Sequence, residues 1–249
     1  MIGLTASLVI GASVFVGTFT SGIFGMVGGQ IILATVLFFL PVSAGMTLFS
    51  ALMFTSGLWR GILWRAHVNW PITIRFAAGS VVAYVLMLFI AFVPSKPVVY
   101  LGLGLAPIIA DLLPKRFAPD IERPGIPYFS GFLVMLLQIS VGAGGNVLDA
   151  FFQASNLNRH VTVATKAVMQ LFSQAGRFVY FGLAALNDGD SIQWWLLGIY
   201  VLISFAGGSA AAGLLNRMSD VHFRRGTRAL IWVLSLIYVA RGLWLVFTD

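Results

Sequence analysis

Lys166 and Arg177 stand in a stretch that is otherwise apolar enough to lie in a membrane. Read as one helix from Val161 to about Ala185, this stretch brings Lys166, Gln170, Ser173 or Gln174, and Arg177 round every three to four residues. They form one polar stripe. An uncompensated charge at the bilayer centre costs at least about 2.5–3.5 kcal/mol, so the stripe calls for water, a counter-charge or an anion beside it. A guanidinium also presents two parallel donors to a pair of anionic oxygens. The bland reading is that each cation snorkels, since Lys166 is about one and a half turns from one end of the helix and Arg177 roughly two turns from the other.

Two glycine-rich corners carry a second kind of chemistry. Val141-Gly142-Ala143-Gly144-Gly145-Asn146 precedes the polar helix, and Ser21 to Gln30 holds four glycines and ends in Gly28-Gly29-Gln30. Glycines weaken helix continuity, so a break is expected at each corner. A break frees backbone N–H groups, and the half-helix beyond it starts with about half a positive charge, which suits an anion. Gln30 and Asn146 add a side-chain amide at each corner. The competing reading is that these small residues only let helices approach closely. Asp149 follows the second corner and, with Asp111 and Asp249, is one of few carboxylates outside the evident loops. It can carry a coupling proton or hold a fixed salt bridge to Lys166 or Arg177; the salt bridge is the preferred reading. Gln138, Gln170 and Gln174 serve either as polar lining or as ordinary helix-to-helix hydrogen bonders.

The elements that position these residues are membrane helices. Of 249 residues, 59% are hydrophobic and only 9% charged, mean hydropathy is +0.95, and the first charge in the chain is Arg60. A soluble domain carries roughly 25% charged residues. The uncharged opening is too long for a cleavable signal peptide. The net charge of +7 does not point to nucleic acid, because the basic residues fall in short gaps between apolar runs, as an orientation signal does. Cysteine is absent, which removes disulfides, thiolate metal sites and cysteine nucleophiles. His67, His160 and His222 fall in or beside loops rather than at metal spacing on one helical face, and no hydrolase, zinc-protease or P-loop pattern occurs. Neither metal, cofactor nor enzymatic activity is expected.

Taken in order, the apolar runs predict an all-α integral membrane protein with about eight transmembrane helices and two short re-entrant segments. The spans fall at 3–20, 47–64, 72–93, 98–113, 128–140, 161–185, 193–215 and 228–247, and the short pieces at 31–40 and 147–155. Turns are expected at Pro41 to Gly45 and Asn156 to His160, and loops at Asn187 to Asp190 and Arg217 to Arg228. The segment 114–127, with four prolines and five charges, reads as a linker between a first repeat, 1–113, and a second, 128–249. Gly28-Gly29-Gln30 and Gly144-Gly145-Asn146 differ by 116 positions, and the same offset pairs Ala51 with Ala167. Both halves run helix, glycine–amide break, short piece, turn, long helix. If each short piece returns to its own side, eleven of the fifteen basic residues share one face, which the positive-inside rule makes cytoplasmic. The two hairpins then enter from opposite sides, an inverted repeat of the kind found in secondary transporters. Arg241 reads as an interfacial anchor.

On Ser21-Gly22-Ile23-Phe24-Gly25-Met26-Val27-Gly28-Gly29, the apolar piece after it, the stretch from Ala51 to Ser56 and the recurrence of this scheme beyond the linker, the chain resembles the TauE/SafE family of membrane permeases, known as sulfite and organosulfonate exporters. The resemblance covers essentially the whole chain. It implies export of a small sulfur-containing anion, such as sulfite, sulfoacetate or a related sulfonate, as a multi-pass protein of a bacterial inner membrane. The expected lining is Gly28, Gly29, Gln30, Gly144, Gly145, Asn146, Lys166, Gln170 and Arg177, with Asp149 the candidate for coupling where it is not a fixed salt-bridge partner. A passive anion channel and a membrane scaffold remain as rivals. A homodimer is one oligomeric state the sequence allows.

Overall fold

The computed structural model describes residues 3–24, 27–63, 65–112, 119–152, 155–187, 194–215 and 220–248. Among these the chain is helical throughout, with ten α-helices and no strand: α1 Leu4–Phe24, α2 Val27–Phe39, α3 Val42–Leu63, α4 Trp70–Ile90, α5 Lys96–Leu112, α6 Ile126–Ser140, α7 Gly144–Phe152, α8 Arg159–Asn187, α9 Trp194–Leu215 and α10 Asp220–Thr248. A 3-10 turn, Arg65–His67, lies between α3 and α4.

Local sequence explains most of the boundaries. Asn69 caps α4, its side chain accepting from the Ile72 N–H at 3.3 Å, with Pro71 in the first turn where its missing N–H costs nothing. Ala91 ends the same helix at φ 49°, its N–H bonded to Met87 O and Leu88 O. The turn expected at Pro41 to Gly45 is instead the start of α3. Gly45 N–H donates to Pro41 O at 2.8 Å, so the proline stands just ahead of the helix it would interrupt further in.

The first glycine corner also falls differently. Helix α1 continues to Phe24 and α2 opens at Val27, so Gly28-Gly29-Gln30 is the first turn of α2 and not the break. A helix's first turn lacks intrahelical acceptors for its N–H groups whatever residues fill it, so glycine weakens continuity least there. The second corner turns at Gly142, φ 75°, and Gly144-Gly145-Asn146 opens α7. Further on, α10 begins at Asp220, so part of the expected basic loop is helical backbone. Residues 188–190 of the loop expected from Asn187 to Asp190, and the first part of the linker, 114–118, lie outside the described residues.

Four helix pairs build the body: α1 with α9, α3 with α8, α4 with α6, and α5 with α10. Each crosses from the first five helices to the last five. Exchanging α1–α5 with α6–α10 in order turns the α1–α9 pair into α6–α4 and leaves α3–α8 and α5–α10 as they are. Close approach is written in glycine. A Cβ at Gly79 would overlap the Tyr128 carbonyl, and one at Gly131 the Phe76 carbonyl, so α4 and α6 touch backbone to backbone. Helix α1 runs in the same direction as α9, since Ser7 meets Tyr200, Gly11 meets Ile203 and Phe15 meets Gly207. Helices α3 and α8 run oppositely, with Thr47 beside Gly182 and Gly57 beside Leu171. The short helix α2 lies inside. Its Ile32, Leu33, Val36 and Leu37 are buried, and its carbonyls at Gln30 and Ala34 accept hydroxyl bonds from Tyr238 and Tyr100.

Three loops meet at one end: His67 packs on His160 with ring centroids 5.6 Å apart, Asn69 N–H donates to Thr165 Oγ1, and Asn156 N–H donates to Glu122. The outer surface is apolar, with Phe89 and Phe247 each 86% exposed amid many exposed Leu, Val and Ile. Patches of this extent are not tolerated in water. Helices over Leu4–Ser21, Trp70–Ile90 and Ala229–Thr248 are long and apolar enough to cross a membrane.

Candidate functional site

Helices α2 and α7 each start inside the helical body, and a cavity of about 170 Å³ lies where their first turns face α3, α6 and α8. An engineered apolar cavity of roughly 150 Å³ holds a benzene molecule, so this space fits a small anion rather than a metabolite of drug size.

The sequence-predicted residues separate into three groups. Gly29, Gln30, Gly145 and Gln170 line the cavity. Gly28 and Gly144 do not; they serve packing. A Cβ on Gly28 would overlap the Gly17 carbonyl of α1, and a Cβ on Gly144 would come within 2.7 Å of Val134 O and 2.6 Å of Gln138 Oε1. Gly29 differs from its neighbour in having only ordinary contacts around the place of a Cβ, the nearest being Met53 Sδ at 3.5 Å. So in each glycine pair the first member lets two helices close and the second opens onto the cavity. Asn146 is in the first turn of α7, but its side chain lies outside the described residues.

Lys166 and Asp149 form an ion pair that ties α8 to α7. Their side chains are about a quarter and a third exposed, 26% and 35%, and neither lines the cavity. The salt bridge expected of Asp149 is thus made, with Lys166 as its partner.

Arg177 is fully buried at 0% exposure, with its guanidinium one layer behind the cavity wall. Its Nε donates to Ser50 Oγ on α3 at 2.7 Å and its Nη2 to Gln174 Oε1 at 2.8 Å, while Cζ sits 4.7 Å above the Phe49 ring. Nη1 has no hydrogen-bond partner and lies beside the Gly142 corner, about 3.4 Å from the place of its Cβ. Phe49, Gly142 and Gln174 all line the cavity, so apart from Ser50 the contacts that screen the cation are themselves part of the wall.

Sequence reasoning placed Gln138, Gln170 and Gln174 as plausible lining, and each lines the cavity, as does Ser173 from the polar stripe of α8. It did not find Phe49 or Met53, which are apolar residues with no chemical signature. Nor did it find Tyr100 and Tyr238. The one available signal was a tyrosine far inside an apolar run, where its hydroxyl has to find a buried acceptor.

An all-helical body with an apolar exterior and a small interior cavity between two half-helix starts defines a helical membrane protein. Its family follows from the sequence as a whole: the profile described as Sulfite exporter TauE/SafE matches residues 9–238, and the chain belongs to that family of membrane transporters. No curated protein and no solved structure matches the chain.

Proposed function

We propose that the chain is a secondary transporter that exports a small sulfur-containing anion, sulfite or a small sulfonate, across a bacterial inner membrane by alternating access. The observation that carries this reading is the cavity between the glycine-led starts of α2 and α7, with the wholly buried Arg177 guanidinium directly behind its wall. Two half-helix N-termini and one cation turn positive potential toward a space of about 170 Å³. Gly29, Gln30, Gly145 and Gln170 are its lining in this reading, and Arg177 its charge.

The two-repeat organisation, 1–113 and 128–249 about a linker at 114–127, is part of the proposal. The helix pairing maps onto itself when the two sets of five helices are exchanged, and this supports inverted halves that rock about a shared site. The joining of the Arg65–His67 turn, the Glu122 segment and the start of α8 at one end supports the placement of those basic loops on one, cytoplasmic, side.

The test is flux in proteoliposomes. Purified protein should give saturable, trans-stimulated movement of sulfite or methanesulfonate that empty liposomes lack. Flux that rises linearly with concentration, or discrete single-channel currents, would favour a channel instead. No flux and no anion-dependent thermal stabilisation with sulfite, thiosulfate, sulfonates, sulfate or carboxylates would sink the reading.

A further inference from the structure

We infer that the cavity selects singly charged oxyanions, which it holds through the side-chain amides of Gln138 and Gln174, two donors that the fold locks toward the anion. The inference rests on the transport reading above and sharpens it to a substrate class.

The orientation of each amide is dictated by its partner. Gln174 Oε1 accepts from Arg177 Nη2 at 2.8 Å, and Gln138 Oε1 accepts from the Gly144 N–H at 3.0 Å. A guanidinium and a backbone N–H only donate, so neither amide can turn over without facing donor to donor. Both carbonyl oxygens are thereby held toward the protein side, while both residues line the cavity. The NH2 groups are what remains for an occupant, and they can only donate. Arg177 is in this arrangement a positioning residue, acting through Gln174, while Gly144 does the same for Gln138 from the start of α7.

Charge sets the second half of the selection. None of the lining residues is charged. Lys166 is neutralised by Asp149, which leaves Arg177, behind the wall with its Nη1 unpartnered, as the charge adjoining the site among the described residues. One buried guanidinium and one monoanion make a neutral pair. A dianion would leave a net negative charge in a low-dielectric interior, which is strongly disfavoured. Hydrogen sulfite and simple alkanesulfonates meet the requirement; sulfate, fully deprotonated sulfite and the doubly charged sulfoacetate do not.

The experiment measures binding of methanesulfonate, sulfite and sulfate to the purified full-length chain in nanodiscs, on the acid and alkaline sides of neutrality. Methanesulfonate should bind equally at both, sulfite should weaken on the alkaline side as hydrogen sulfite gives up its proton, and sulfate should bind about tenfold weaker or worse. Gln138→Glu and Gln174→Glu keep an oxygen for Gly144 and Arg177 but turn an acceptor toward the cavity, so methanesulfonate affinity should fall by about ten- to a hundredfold. Gln174→Met, which removes the donor without adding charge, should fall comparably and covers the case of a Glu variant that does not fold. Arg177→Lys keeps the charge but not the fork; it should weaken methanesulfonate while retaining discrimination against sulfate. Wild-type affinity in the folded Gln variants, or sulfate bound as well as methanesulfonate, overturns the inference and leaves the transport reading standing. Failure of the wild-type chain to bind any of the three anions overturns both.

Discussion

A guanidinium wholly withdrawn from solvent, with one of its nitrogens lacking any acceptor, is a liability to the folded protein. Leaving a buried donor unpaired costs about 1–3 kcal/mol, and the two bonds that Arg177 makes, to Ser50 and Gln174, do not relieve Nη1. Replacement by an apolar residue of similar length should therefore be tolerated by the fold. The prediction is that Arg177→Met melts no lower than the wild type, while its sulfite flux in proteoliposomes drops by more than about tenfold; unchanged flux would remove Arg177 from the mechanism. The glycine pair in α2 supports a sharper contrast. Gly28→Ala drives a methyl into the Gly17 carbonyl and should cost about 1–3 kcal/mol of stability, read as lower yield and melting temperature. Gly29→Ala, which meets only ordinary contacts, should fold normally and lose affinity for anion. Equal stability of the two variants would contradict the division of labour drawn between them.

Between elements, the Lys166–Asp149 pair holds the nine-residue α7 against α8. With both groups partly exposed, its worth to stability is about 1 kcal/mol or less, and a double-mutant cycle of Asp149→Asn with Lys166→Met should return a coupling of that size. Its functional role is a separate question with its own readout. If Asp149 carries a coupling proton, Asp149→Asn should flatten the pH dependence of methanesulfonate flux, a substrate whose charge is constant over that range. A pH profile shaped like the wild type's, on a less stable protein, would identify a strut. The α4–α6 crossing yields a purely structural expectation. Gly131→Ala places a methyl against the Phe76 carbonyl where backbone meets backbone, and the loss should show as poor thermal stability with no change in selectivity among anions.

At the scale of the whole molecule, the helical body has two ends, and the placement of its loops is testable because the chain has no native cysteine. Single-cysteine variants Ser95→Cys and Arg123→Cys put exposed thiols in the α4–α5 loop and ahead of α6. In intact cells an impermeant maleimide should label the first and spare the second, with both labelled after lysis. Labelling of both, or of Arg123→Cys alone, would break the inverted-repeat topology. The exchange symmetry of the helix pairs is not matched by chemical symmetry. The second half supplies Arg177, Gln138 and Gln174, and the first supplies the short side chains, Ser50 among them, that make room for the guanidinium. The transport pathway proposed here is therefore symmetric in its scaffold and one-sided in its charge.

Much of this was readable from the chain before any fold was known, because membrane helices obey a local rule: every apolar run of sufficient length must close its own backbone hydrogen bonds. Composition and periodicity thus determined the helical class, the order of ten segments, the polar stripe of α8 and the presence of two glycine corners. The boundaries that moved, at Pro41 and at Gly28 to Gln30, moved because proline and glycine are tolerated in a helix's first turn, a position only the neighbouring helices define. What each polar residue does was decided by tertiary structure alone. Lys166 and Arg177, about three turns apart on one stripe, differ in kind as well as place: one meets Asp149 at a partly exposed edge, the other is sealed behind Phe49, Gly142 and Gln174. Which glycine packs and which opens onto the cavity depends on where α1 and α6 pass, and pairings between residues more than a hundred positions apart, such as Ser50 with Arg177, leave no trace in the local pattern of either segment.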